Sequence, residues 1–196
     1  VRIISGIARG TRLGTLPAPA LRPMLDRVKE SLFNIIRDAV PGANVLDLFS
    51  GSGALGLEAL SRGAARCTFV ESDPQLGRLA MENARRCKLA DRCVLVGGDV
   101  LKLAQRMAPD EGLPAGLIFV DPPYALVDDP NRRAELFAAL EALGGRWIEP
   151  GGLLVLHHRP IPYAIWPSRR LRESDKRIYG QSQLTFFDLS RRQADD

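Results

Sequence analysis

Short apolar runs alternate with longer amphipathic stretches through the middle of this 196-residue chain. Runs at 44–49, 67–71, 93–97, 117–121 and 153–157, rich in β-branched and other apolar residues, read as five strands. The segments between them carry helix punctuation. Residues 53–62 run to Gly63, placed as a C′ glycine. Asp73-Pro74 reads as the N-cap and first residue of a helix reaching Lys88, and Asp129-Pro130 opens another that ends near Gly144-Gly145. Strands separated by helices imply right-handed crossovers and a mainly parallel sheet, an α/β fold. A last run at 183–189 follows with little room for a crossover helix, which suits an antiparallel place in the sheet.

The first 40 residues follow another pattern. Residues 2–16 are rich in β-branched residues and glycine, with Gly6, Gly10 and Gly14 spaced like turns of a small hairpin. Pro17, Pro19 and Pro23 stiffen a connection to a helix beginning near Asp26. There Val28, Leu32, Ile35 and Ile36 fall at i, i+4, i+7 and i+8 and predict one buried face, with Arg27, Lys29 and Arg37 off that stripe. The chain is thus expected to divide into a hairpin-and-helix extension (1–40), a main domain (41–190) and a fraying tail (191–196).

Composition narrows the class. Apolar residues at 45% and charged residues at 26% describe a globular protein with a real core. No apolar run approaches the roughly 20 residues that cross a bilayer, and the first residues lack the order of a signal peptide. Cys67, Cys87 and Cys93 form no CxxC pair, so free thiols in a reducing cytoplasm are expected, with no metal site. The net charge of +4 is uneven: residues 1–40 carry seven basic and three acidic residues, 41–156 twelve and fifteen, and 157–196 eight and five. A polyanion gripped by the two ends would account for that distribution. So would a chain that uses Arg throughout as its solubilising residue.

The run Val45-Leu46-Asp47-Leu48-Phe49 leads into Ser50-Gly51-Ser52-Gly53-Ala54-Leu55-Gly56, a formal GxGxxG, with Glu71 20 residues after Gly51. The spacing fits NAD as well as any ligand that lies across a first βα turn. Two features favour S-adenosylmethionine instead. Asp47, inside the strand, is expected to point its carboxylate at the ligand, repelling a pyrophosphate and attracting a cationic amino group and sulfonium. Asp99, after the third strand, offers an acceptor where an adenine amine would lie, though a surface-capping role is an alternative. Glu71 can accept from both ribose hydroxyls with either cofactor.

The fourth strand ends in Asp121-Pro122-Pro123-Tyr124. Two prolines fix two φ angles and remove two N–H donors, leaving a stiff turn that presents acceptors. The Asp121 carboxylate and the Pro122 carbonyl can together receive both protons of a planar amine, and Tyr124 offers a face on which a base can stack, worth about 1–3 kcal/mol. That suits methyl transfer to an exocyclic amine by in-line displacement, driven by orientation, with no covalent enzyme intermediate and no metal.

With both motifs, the chain resembles the RsmD family of bacterial 16S rRNA guanine-N2 methyltransferases over nearly its whole length. The resemblance is carried by Arg2-Ile3-Ile4-Ser5-Gly6 with Arg9-Gly10, and by Leu21-Arg22-Pro23 followed by Asp26-Arg27-Val28-Lys29-Glu30-Ser31-Leu32-Phe33-Asn34. It continues through 45–63, Glu71-Ser72-Asp73, the 121–124 turn and Tyr179-Gly180. It implies a Rossmann-like methyltransferase fold, S-adenosylmethionine as donor with S-adenosylhomocysteine as product, and a guanine N2 acceptor in 16S rRNA of an assembling small subunit. It also implies roles: Asp47, Phe49, Ser50, Gly51, Ser52 and Gly53 at the methionine end, Glu71 and Ser72 at the ribose, Asp99 and Val100 at adenine, and Asp121, Pro122 and Tyr124 at the target base. Met24 stands where the family usually has Thr, so position 24 is left out of the site. Arg9, Arg12, Arg22 and Arg27 are expected to grip RNA phosphates near the catalytic edge. His157 and His158 are expected to be structural or peripheral. A cytoplasmic monomer without membrane contact completes the expectation. A DNA adenine-N6 methyltransferase, an NAD-dependent oxidoreductase and a non-catalytic RNA-binding module remain the alternatives.

Overall fold

The computed structural model describes residues 1–16, 24–106, 114–143, 147–161 and 166–189. Seven strands form one sheet: β1 (Asn44–Leu48), β2 (Arg66–Glu71), β3 (Cys93–Gly97), β4 (Ala115–Val120), β5 (Ile148–His158), β6 (Leu171–Tyr179) and β7 (Ser182–Leu189). Their spatial order is β3-β2-β1-β4-β5-β7-β6. β1 to β5 are parallel, and β7 runs antiparallel to both of its neighbours. The chain travels outward from β1 to β3, then returns to place β4 on the other side of β1. In open α/β sheets such a reversal opens a crevice beyond the carboxyl ends of the two central strands. Here Leu48 lies opposite Val120, so the segments that follow β1 and β4 leave the sheet side by side.

Helices cover both faces: α1 (Asp26–Ile35), α2 (Ala54–Ser61) and α3 (Pro74–Arg86) on one, α4 (Val100–Arg106), α5 (Tyr124–Asp128) and α6 (Pro130–Leu143) on the other. The first layer closes over Phe69, Leu117, Phe119, Val155 and Phe186, the second over Leu46, Ile118, Val120, Leu154 and Phe187. Alternate residues of the central strands thus enter opposite cores, which is why these strands read as continuous apolar runs. Ile3, Ala8, Leu13, Met24, Val28, Leu32 and Phe33 belong to the first core, so the N-terminal extension is packed into the main body.

The hairpin closes through an antiparallel bridge between Arg2 and Arg12. Gly6 turns it at φ +83°, where an added Cβ would lie 1.7 Å from the Ser61 carbonyl oxygen. Gly14 is not a turn residue: it lies flat against Leu79, Asn83 and Arg86 of α3. Two expectations for α1 are corrected. Ile35 is 40% exposed, whereas Lys29 is 1% exposed. Lys29 reaches inward because Glu58, fully buried on α2, lies 3.4 Å from its Nζ and the Arg2 carbonyl accepts from it at 2.6 Å. Glu58 also accepts from the backbone N–H groups of Ile4 and Ser5 and from Arg62. Burial lowers the Lys29 pKa, and the adjacent Glu58 charge opposes that shift. One buried carboxylate thereby pins the hairpin, α1 and α2 together.

Three elements are not among the runs read from the sequence. β6 is an edge strand with Arg172, Glu173, Asp175, Lys176 and Arg177 on it, the charged composition that blocks edge-to-edge pairing and hides the strand from a hydrophobic pattern. α4 and α5 are single short helices, seven and five residues long. Pro17, Pro19, Arg22, Pro23 and the tail 191–196 lie outside the described residues.

Candidate active site

The loop after β1 is held by polar groups from below. Phe49 adopts φ +61°, a left-handed conformation that a residue with a Cβ takes at a cost of about 1 kcal/mol. Gly51 and Gly53 continue the reversal at φ +53° and +76°. The Gly51 N–H donates to Glu71 Oε2 at 2.8 Å, while Asp73 N–H and Ser72 Oγ donate to Oε1 at 2.9 and 3.4 Å. A carboxylate has about four acceptor positions. With three in use, Glu71 has room for one ribose hydroxyl rather than the expected two. Asn83, fully buried on α3, ties the loop to the hairpin: its Nδ2 donates to the carbonyls of Ser52 (2.9 Å) and Gly14 (3.1 Å), and its Oδ1 accepts from Gly14 N–H (2.7 Å). A lone Asn within a helix gives no sign of this in the sequence.

Asp47 departs from its expected place. It is 1% exposed, and its Oδ2 accepts from Gly56 N–H at 2.9 Å, beneath the loop rather than toward a ligand. Burial raises its pKa well above the carboxylate range, the Gly56 bond opposes this, and the charges of Asp121 and Glu71 add to it. The carboxyl therefore anchors the start of α2. Asp99 caps α4, its Oδ1 accepting from Leu101 N–H at 3.0 Å, and the Val100 side chain is buried in the second core. Ser50 is 8% exposed, and its Oγ has no partner among the described residues.

The turn after β4 faces this loop across one strand spacing, since Asp121 N–H points back at the Leu48 carbonyl (3.4 Å). The side chain of Asp121 is 27% exposed. Pro122 is buried, and Pro123 precedes α5, where the Leu126 N–H closes the first turn on the Pro123 carbonyl at 2.9 Å. His157, at the carboxyl end of β5, is not peripheral. Its Nδ1 lies 2.8 Å from Asp121 Oδ1, its ring meets that of Tyr124 edge-on with centroids 6.1 Å apart, and its Nε2 is buried with no partner among the described residues. The Arg159 guanidinium covers the Tyr124 ring at 4.7 Å and lies 3.6 Å from Asp128. Nothing in the sequence singles out His157, because its meaning depends on β5 lying next to β4. His158 points to the other face, where Nδ1 donates to the Arg159 carbonyl and Nε2 meets Thr185 Oγ1 at 2.8 Å. Burial lowers its pKa to about 4.

Of the four arginines, Arg27 lies at this edge, since the β6–β7 turn stands just beyond the His158–Gln183 pair. Arg27 is exposed beside the β6–β7 turn, within 4.0 Å of the position a Gly180 Cβ would take. Arg9 lines a groove of about 250 Å3 with Arg2, Ile4 and Glu30 at the hairpin, against the far end of α2, and Arg12 is exposed on the returning strand. Arg22 lies outside the described residues.

Residues 1–188 match the family described as Conserved hypothetical protein 95, the RsmD family. The chain belongs to this family. It is 42% identical over 124 residues to Ribosomal RNA small subunit methyltransferase D of Escherichia coli, a match covering 63% of this chain and 60% of that protein. The structure of a hypothetical protein of Thermus thermophilus, TTHA0928, superposes with a TM-score of 0.75 at 35% identity, covering 95% of this chain and 98% of that one. An RNA methyltransferase of Salinibacter ruber in complex with S-adenosyl-L-homocysteine shares the fold at a TM-score of 0.63 and 18% identity, covering 89% and 98%. The fold is therefore Rossmann-like, of the kind found in S-adenosylmethionine-dependent methyltransferases. Among the described residues no helix is long and apolar enough to cross a membrane.

Proposed function

We propose that this chain transfers a methyl group from S-adenosylmethionine to the exocyclic N2 amine of a guanine in small-subunit rRNA. The observation that carries the reading is the adjacency of the 49–53 loop and the 121–124 turn, on paired strands at the switch point of the sheet. The choice of rRNA follows the relatives, whose match covers less than two thirds of the Escherichia coli protein.

The residues fit the donor. The left-handed backbone at Gly51 and Gly53 allows close approach, and the unpartnered Ser50 Oγ can bond a polar group of the methionine end. Glu71 would take one ribose hydroxyl, Ser72 lying beside it, and the backbone at Asp99 and Val100 would border the adenine. When bound, S-adenosylmethionine supplies a sulfonium methyl for in-line displacement and leaves as S-adenosylhomocysteine. The protein's part is orientation. The Asp121 carboxylate and Pro122 carbonyl hold the amine so that its lone pair aims at the methyl, and they stabilise the positive charge that develops on nitrogen. Tyr124 supports the base plane. Arg27 and Arg12 serve the RNA backbone, and Arg9 does so from the hairpin groove.

Labelled S-adenosylmethionine offered with stripped 16S rRNA, small subunits and duplex DNA tests the reading. N2-methylguanosine in RNA or subunits is the expected product. Methylation of DNA adenine alone, or preference for NAD over S-adenosylhomocysteine in calorimetry, would overturn it.

A further inference from the structure

We infer that His157 is a positioning residue that sets both walls of the acceptor seat, the Asp121 carboxylate and the Tyr124 ring; the inference rests on the methyl-transfer reading above. β4 and β5 pair in parallel with Val120 opposite Leu156, so Asp121 and His157 are the next residues out on neighbouring strands. The 2.8 Å contact joins an imidazole nitrogen to a carboxylate oxygen. An ionised carboxylate only accepts, so Nδ1 carries a proton and donates to it. The reverse tautomer would turn the buried, partnerless Nε2 into an orphaned N–H, the rarer and costlier arrangement.

With one position on Oδ1 taken by His157, the carboxylate's orientation is held and Oδ2 can receive the amine. The same ring supports Tyr124 edge-on at 68° between planes, a favoured aromatic geometry. His158 supplies the contrast. A histidine that serves packing has both nitrogens bonded, as His158 does to the Arg159 carbonyl and Thr185. His157, 3% exposed, spends its one hydrogen bond on the candidate catalytic carboxylate.

The test compares His157→Leu, which removes the donor, with His157→Asn, which places an amide N–H near the Nδ1 position. Methyl transfer to small subunits, S-adenosylhomocysteine affinity and Tm are measured for both. A misplacement of about 1 Å costs on the order of a hundredfold, so His157→Leu should lower kcat by about that factor with cofactor affinity unchanged. His157→Asn should restore most of the loss. Adding His157→Leu to Asp121→Ala should cost less than His157→Leu costs by itself, because only the support of the Tyr124 ring is left to lose. Wild-type kcat in His157→Leu, or equal losses of rate, cofactor affinity and Tm in both variants, would overturn the role. A wild-type protein that methylates neither rRNA nor subunits would instead overturn the underlying reading, and the role with it.

Discussion

The glycine loop and the 121–124 turn leave neighbouring strands, yet they are held in different ways. Beneath the loop, Glu71, Asp47 and Asn83 are buried and their bonds run to backbone groups: Gly51 and Asp73, Gly56, and Ser52 with Gly14. The turn has two residues without N–H groups, and among the described residues its one side-chain hydrogen bond is from His157 to Asp121. Ring closure supplies its stiffness. The loop is therefore part of the folded core, whereas the turn is a rigid presentation of acceptors that the core hardly depends on. Changes in the loop should cost stability and cofactor affinity together. Changes in the turn should cost chiefly rate.

Asp121→Ala is the sharpest cut. Methyl transfer should fall on the order of a thousandfold, while S-adenosylhomocysteine binding stays near wild type and Tm drops only modestly as His157 loses its partner; a variant that loses cofactor affinity in step with rate would erase the contrast. Gly56→Ala strikes the other half. Its Cβ would lie 2.4 Å from Cys67 Sγ, 2.6 Å from Phe69 Cε1 and 3.0 Å from Asp47 Oδ2. Overpacking of this kind costs about 1–3 kcal/mol, and denaturant unfolding should show it along with weakened cofactor binding. Asn83→Ala would strand the Gly14 N–H and two carbonyls at a cost of about 1–3 kcal/mol. Calorimetry should find weaker S-adenosylhomocysteine binding because the hairpin and loop no longer share a tether.

The smallest effect concerns Asp47. Its carboxyl is held above its ordinary range chiefly by burial, so the folded state binds a proton that the unfolded chain gives up. The stability this confers is complete below the unfolded carboxyl's pKa and is lost as pH rises through the raised folded value. Asp47→Asn keeps an acceptor for Gly56 N–H and removes that loss. Its Tm relative to wild type should therefore climb with pH above the ordinary carboxylate range, with cofactor affinity little changed. A large loss of affinity would return Asp47 to the ligand.

Much of this architecture was legible beforehand. Asp73-Pro74 and Asp129-Pro130 both cap helices, and the five apolar runs are the five parallel strands. The site was less legible where it turned on the direction of a side chain. Asp47 read as facing a ligand because strand alternation leaves two faces open, and only the packing of α2 showed which was buried. Lys29 lies off the apolar stripe, and its burial rests on Glu58, 29 residues away in the chain.

The sequence by itself determined the order of elements, the parallel sheet, the stiff acceptor turn and the family, because these depend on local periodicity, turn chemistry and short motifs. Tertiary structure alone decided that β4 lies beside β1 and β5 beside β4. It thereby decided that Asp121 faces the glycine loop and receives His157. Such contacts join residues tens of positions apart, and their energy exists only once the sheet has brought strand ends within one hydrogen bond of each other.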